Sequence, residues 1–395
     1  MQALILSHYT LVSALGRGLD ATLAALRGRR SGLSRCDFPD VDLNTWIGRV
    51  DGLEEAPIIG DLGRFDCRNN RLAQLTLRQD GFEHAVAAAR ERYGAHRIGV
   101  ILGTSTSGIL ETELAYRRRD PKTGALPSAF NYQHAHNNFS IADFTRRYLE
   151  LGGPALAIST ACSSSAKVFA SAQRLIASNV CDAAVVGGVD SLCLTTLYGF
   201  SALELVSDRP CRPADARRNG ISIGEAGGFA LLEKAPTGTD EIALLGYGES
   251  TDAYHMSSPH PEGRGAARAM REALQRSGLA PDEIDYINLH GTATKANDIA
   301  EDRAVCSIFG EATPSSSIKG WTGHTLGAAG IVNAVVSCLS IREGFAPGSL
   351  NTEALDPEFA GWILLEELEK PVDYVLSNSF GFGGNNASLV FGRVN

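Results

Sequence analysis

Two distant stretches of this chain share one design, and that duplication constrains the fold more than any other feature. Residues 220–234 (Gly-Ile-Ser-Ile-Gly-Glu-Ala-Gly-Gly-Phe-Ala-Leu-Leu-Glu-Lys) and 380–393 (Phe-Gly-Phe-Gly-Gly-Asn-Asn-Ala-Ser-Leu-Val-Phe-Gly-Arg) are both glycine-rich turns that run into an apolar strand ending on a basic residue. Residues 97–106 and 286–294 pair in the same way, each an apolar strand entering a turn of small and hydroxyl residues. A third pair links the strand-turn-helix around Cys162 to the one around His324. Three such pairs read as two copies of one strand-and-helix unit, not as a short-period array. The join falls at Ala235-Pro-Thr-Gly-Thr-Asp240, a run of turn formers, and divides the chain into halves 1–238 and 239–395. Alternating buried strands and helices predict mixed sheets covered by helices, an α/β fold.

The chemistry concentrates in three turns. Leu156 to Ile158 reads as a buried strand leading to Cys162, and Ser163, Ser164 and Ser165 behind it can cap a helix. Val168, Phe169, Ala172, Leu175 and Ile176 then follow at helical spacing. Cys162 therefore sits at the positive end of a helix, where backbone N–H groups favour a thiolate and are expected to lower the thiol pKa. Read blandly, it is a small core residue. His290 ends a second buried strand, and Lys319 and His324 precede an Ala/Val-rich helix after a third. One histidine after a strand is usually structural. Two, each in a Gly/Thr-rich turn of a chain with a helix-capped cysteine, point to a chemical site. In open α/β sheets ligands gather outside the carboxyl ends of the strands.

At this point the motifs resemble a family. Cys162, the His-Gly-Thr-x-Thr segment at His290, the Lys-x-x-x-Gly-His segment at Lys319 and the closing Asn378-Ser-Phe-Gly-Phe-Gly-Gly384 look like a β-ketoacyl-acyl-carrier-protein synthase of the elongating, Cys-His-His kind. Cys211–Asp215, Gly220–Gly228 and Asp252–Pro259 extend the likeness over nearly the whole chain. The resemblance implies a thiolase-like, five-layered α-β-α-β-α fold made of two duplicated halves, with Cys162 facing both histidines. It also implies a reaction, the decarboxylative condensation of a Cys162-bound acyl group with malonyl-carrier protein. His290 and His324 would stabilise the enolate through their Nε hydrogens. The N–H groups of Cys162 and Phe382 would form the oxyanion hole, and Phe382 would gate the acyl pocket. Lys319 would hold the histidine region with a carboxylate, for which Glu301 is the candidate. Thr292 and Thr294 would hydrogen-bond the pantetheine arm.

No cofactor beyond the phosphopantetheine of an acyl carrier protein is implied. The partners are that carrier protein and a second subunit, in a homodimer or in a heterodimer with a chain-length-factor-like chain. Residues 110–150 lie in this family at the dimer interface and line the pocket floor. The alternative is a catalytically silent partner subunit, but such subunits lose the cysteine. Ile221 stands where housekeeping members usually carry Phe, and Ser163–Ser165 with Lys167 replace the usual residues after the nucleophile. These departures suggest a specialised synthase, such as one making aryl-polyene chains.

The remaining sequence bounds the answer. A net charge of −9 argues against general nucleic-acid binding. An acidic partner would then need a local basic patch, for which Arg64, Arg68 and Arg71 and the run Arg117–Arg119 are candidates, each more often a solvated face. The eight cysteines are scattered without C-x-x-C or zinc-like spacing, which fits a reduced cytoplasmic protein. No metal is expected: His134 and His136 form an H-x-H without a third ligand. His255, near the expected tunnel mouth, is read as structural. No apolar stretch approaches the roughly 20 residues of a membrane span, and the N-terminus lacks the pattern of a secretory signal.

Overall fold

The structure, a computed structural model, describes residues 1–234 and 241–394, so the expected join at 235–240 and the 238/239 boundary lie outside the described residues. From the middle outward, the first half orders its strands Leu4–Ser13, Ala226–Lys234, Ala183–Asp190, Ile98–Gly103 and Ala155–Ile158. Numbered along the chain, that order is 1-5-4-2-3. The second half orders Glu241–Thr251, Asn385–Val394, Tyr374–Gly381, Tyr286–Asn288 and Ser315–Ser316, again 1-5-4-2-3. Directions repeat too: the inner two pairings of each half are antiparallel and the outer two parallel. Among the described residues the two sheets join where Leu4 and Ile5 pair with Leu244 and Ala243. The duplication read from the glycine-rich turns is thus a duplication of topology.

Helices Ser164–Ala177 and Ala329–Glu343 form the central layer and contact strands of both sheets. Ala329–Glu343 has no polar face to turn outward and is buried from Ala329 to Ile341. The segment Leu326–Glu343 is long and apolar enough to cross a membrane, but 89% of it is buried inside the protein. Where the central helices cross, Gly330 lies against Ala166, and a Cβ at Gly330 would come within 2.4 Å of Ala166 N. Helices Arg68–Leu77 and Ser140–Tyr148 cover the outside of the first sheet, and Arg264–Ser277 and Lys295–Phe309 that of the second. The result is five layers.

One expectation needs correction. Ala155–Ile158 is the edge strand of its sheet, not a buried one, and Leu156 is 42% exposed. The arginine candidates divide: Arg68 is buried on Glu225 and Arg71 is bidentate to Asp66, whereas Arg64, Arg118 and Arg119 are exposed and exposed Arg117 pairs with Asp40 at the surface. Residues 110–150 hold helices Ile109–Arg117 and Ser140–Tyr148 around a short turn at Tyr132–His136. That segment exposes Tyr116, Tyr132 and Phe139 but lines no part of the cavity described below.

Candidate active site

Cys162 follows a sharp turn in which Ala161 adopts a left-handed φ of 52°, a strained value for a residue with a side chain. The three serines behind it do not cap the helix. Ser163 Oγ donates to Thr160 O at 2.9 Å and Ser164 Oγ to Ala161 O at 2.6 Å, so both stitch the turn itself. Ser165 Oγ accepts from Ile331 N at 2.9 Å and ties this helix to the other central one. Gly381 lets the end of the opposite half close on the turn, since a Cβ there would stand 2.6 Å from Thr160 O. That approach brings the N–H groups of Phe382 and of Cys162 itself onto the sulfur.

Those N–H groups do not produce a resting thiolate. Burial pushes the Cys162 thiol up to about 12; the Lys319 ammonium and the two N–H groups pull it down, and the Asp190 carboxylate adds to the rise. The expected lowering is therefore overturned, because desolvating the sulfur outweighs the positive end of one helix.

His324 is held by the first half of the chain. Its N–H donates to Ser222 O at 2.7 Å, and Gly224 N–H donates to its carbonyl at 3.0 Å. Its Nδ1 accepts from Leu326 N–H at 3.2 Å, so in the neutral ring the proton sits on Nε2. His290 is held by its main chain. Its N–H and that of Gly291 donate to the two oxygens of Glu301 at 2.8 Å each, and Lys319 Nζ donates to the His290 carbonyl. Asn378 Nδ2 also donates to Glu301, at 3.1 Å. The expected Lys319–Glu301 partnership is thus indirect: the two side chains grip opposite ends of one residue's backbone.

The rings of His290 and His324 stand nearly perpendicular, at 83°, with centroids 5.3 Å apart. The Cys162 sulfur and one nitrogen of each ring all lie within 4.8 Å of one another. Burial, followed by the Lys319 ammonium, holds both imidazoles well below the usual histidine range, so both are neutral at pH 7. Burial raises Glu301 to about 7 against its N–H donors, and burial lowers Lys319 to about 8 against the Glu301 charge.

All three groups line a cavity of about 610 Å³. Thr292 and Thr294 also line it, their hydroxyls 2.8 Å apart. Phe382 lines it half-buried, its ring 5.5 Å from that of Phe200, and Ile221 lies on the same wall. Exposed Arg217 and Lys295 stand among its lining residues. His255 is exposed and is not in the lining; its ring accepts from Ser257 N–H at 3.2 Å. His136 binds the Thr112 hydroxyl at 2.8 Å, and the His134 ring packs edge-on to Phe65. Sequence reasoning missed Asp190 and Phe200, and named Asn378 as part of a motif without its hold on Glu301. For Asp190 the signal was there: an acid at the end of the otherwise apolar run Ala183–Val189.

Comparison with known proteins agrees with this geometry. Residues 70–237 match the family described as beta-ketoacyl synthase, N-terminal domain, and residues 242–353 match the corresponding C-terminal domain. The 3-oxoacyl-[acyl-carrier-protein] synthase 2 of Coxiella burnetii is 36% identical over 316 residues, 76% of either chain. That of Staphylococcus aureus is 32% identical over 362 residues, 85% of this chain and 87% of its own. A chain in the complex of the ketosynthase ApeO with its chain length factor ApeC, from Xenorhabdus doucetiae, superposes with a TM-score of 0.91 at 40% identity, covering 100% of this chain and 98% of that one. A beta-ketoacyl synthase from Burkholderia phymatum gives 0.89 at 29% identity, with both chains fully covered.

Proposed function

Because the chain belongs to the β-ketoacyl synthase family, we propose that it joins an acyl group held on Cys162 to a malonyl unit delivered on a carrier protein, with loss of carbon dioxide. One observation carries this reading: a buried thiol and two neutral imidazoles within 4.8 Å of one another, with two N–H groups converging on the sulfur. In the first half-reaction Cys162 Sγ attacks the acyl thioester carbonyl. The pantetheine sulfur leaves and takes up the proton that Cys162 gives up, an exchange a neutral imidazole alongside can relay. The carbonyl oxygen, briefly an oxyanion, meets the N–H groups of Cys162 and Phe382.

In the second half the malonyl carbon–carboxylate bond breaks and its electrons pass to the thioester oxygen as an enolate. His324, with its proton on Nε2, and His290 face that oxygen as uncharged donors. Each such donor in a water-poor cleft is worth about 3 kcal/mol. The enolate carbon then attacks the Cys162 thioester, the new carbon–carbon bond forms, and the sulfur leaves as a thiolate that takes its proton from solvent. Every bond change is supplied by the substrates, the side chains and solvent, so no cofactor beyond the phosphopantetheine arm is invoked. Thr292 and Thr294 are the arm's hydroxyl contacts in this reading. A silent-subunit role would have no use for a cysteine under two convergent N–H groups.

The chemistry makes the protein a transferase, and acyl transfer to and from Cys162 makes it an acyltransferase. Its carrier protein would dock at the cavity mouth, where exposed Arg217 and Lys295 stand among the lining residues. The exposed edge strand and the aromatic residues of segment 110–150 fit a second subunit, and the likeness to ApeO favours a chain-length-factor heterodimer in polyene synthesis. All eight cysteines are free thiols, in keeping with a reducing cytoplasm. The test is reconstitution with an acyl-carrier protein, malonyl-carrier protein and a candidate partner chain. A carrier-bound β-ketoacyl product supports the reading, and malonyl turnover without any new carbon–carbon bond contradicts it.

A further inference from the structure

Asp190 ends the strand Ala183–Asp190 with no exposure to solvent, and every group that contacts it is a donor. Its carboxylate accepts from Ser105 N–H at 2.8 Å, Thr106 N–H at 3.0 Å and Gly327 N–H at 2.6 Å. It also accepts from the Thr104 hydroxyl at 2.7 Å, the Thr106 hydroxyl at 3.0 Å and the Ser105 hydroxyl. Two turns meet on this one side chain. The first, Thr104–Thr106, follows strand Ile98–Gly103; the second, Leu326–Ala328, joins His324 to its helix.

The second turn matters for the chemistry. Leu326 carries a left-handed φ of 51°, and its N–H is the donor that occupies His324 Nδ1. The next N–H in the chain, that of Gly327, is the one Asp190 holds. Gly327 packs so closely that a Cβ would stand 2.7 Å from an Asp190 oxygen and 2.8 Å from Ser105 N. Release of the Gly327 N–H would free a strained turn and, with it, the hydrogen bond that keeps the His324 proton on Nε2.

We propose that Asp190 is a positioning residue for His324, anchoring the Leu326–Gly327 turn so that the ring presents Nε2–H to the reacting oxygen. The proposal rests on the condensing reading for its kinetic consequence, but the placement of the proton can be read without any substrate.

Two variants test the anchor. Asp190→Asn removes the charge and weakens the anchor, whereas Gly327→Ala pushes the turn off Asp190 and keeps the charge. Both are expected to lower kcat for malonyl decarboxylation about 100-fold, the scale for a misplaced catalytic group, with little change in KM. Both are expected to shift the ring ¹⁵N resonances of His324 away from the Nε2–H pattern in histidine-labelled protein. A folded Asp190→Asn protein with wild-type kcat and the wild-type His324 ¹⁵N pattern overturns the proposal. If that variant fails to fold, the same two results for Gly327→Ala overturn it. Failure of the condensing reading would look different: the wild-type protein itself would not decarboxylate malonyl-carrier protein.

Discussion

Replacing Glu301 by Gln tests how the catalytic histidine is held. In the native protein one Glu301 oxygen accepts from His290 N–H and Asn378 Nδ2–H, and the other from Gly291 N–H, at 2.8 to 3.1 Å. A glutamine keeps most by placing its oxygen where two donors converge. Its NH₂ group then faces the Gly291 N–H, leaving one buried donor unpaired, which costs about 1–3 kcal/mol. The two remaining bonds lose their charge assistance, about 1 kcal/mol each. Relief from burying a carboxylate, whose burial has raised it to about 7, offsets part of this. Loss of the counter-charge to the buried Lys319 opposes that relief. The net expectation is a destabilisation of about 2–4 kcal/mol, measured by urea unfolding at pH 7.5. Because Gly291 and His290 are adjacent, decarboxylation should fall by about 10- to 100-fold, while acyl loading of Cys162, read by intact mass, persists. A Glu301→Gln protein within about 0.5 kcal/mol of wild type and with full decarboxylation would refute the view that this carboxylate fixes His290.

Further outcomes follow from the same geometry. Cys162→Ala should abolish condensation while leaving malonyl decarboxylation measurable by carbon dioxide release, because both imidazoles remain. His324→Ala, and separately His290→Ala, should each cut decarboxylation by about 10²–10³-fold, with the Cys162 acyl adduct still seen by mass spectrometry. Both histidines titrate well below 6.5 in the folded chain and near 6.5 in the unfolded one. As pH falls through 6.5, the unfolded state therefore binds protons that the native state refuses, and stability drops. Glu301, raised to about 7, takes up its proton in the native state over the same range and works the other way, so the check is a comparison: between pH 7.5 and 5.5 a His290→Asn/His324→Asn double variant should lose less stability by urea unfolding than the wild type.

Much of this was legible in the sequence because it lay in local patterns. The paired glycine-rich turns announced a repeated topology, and strand-turn-helix punctuation placed Cys162, His290 and His324 at strand ends. What was illegible depended on distance through space. The role of the serine trio turned on where each hydroxyl could reach, and none reached the helix N–H groups. Strand Ala155–Ile158 is apolar like a core strand yet lies at a sheet edge, which composition alone does not reveal. Lys319 and Glu301 were paired by spacing, but the fold put the His290 backbone between them. The thiol pKa went the other way because burial depends on the whole protein, whereas a helix end is a local feature.

The most direct measurement of the central claim is the intact mass of the protein after incubation with an acyl-carrier protein, followed by peptide mapping. The account expects one acyl adduct, on Cys162, that is lost in Cys162→Ala and discharged when malonyl-carrier protein is added. An adduct on another residue, or one on Cys162 that malonyl-carrier protein leaves in place, would contradict it.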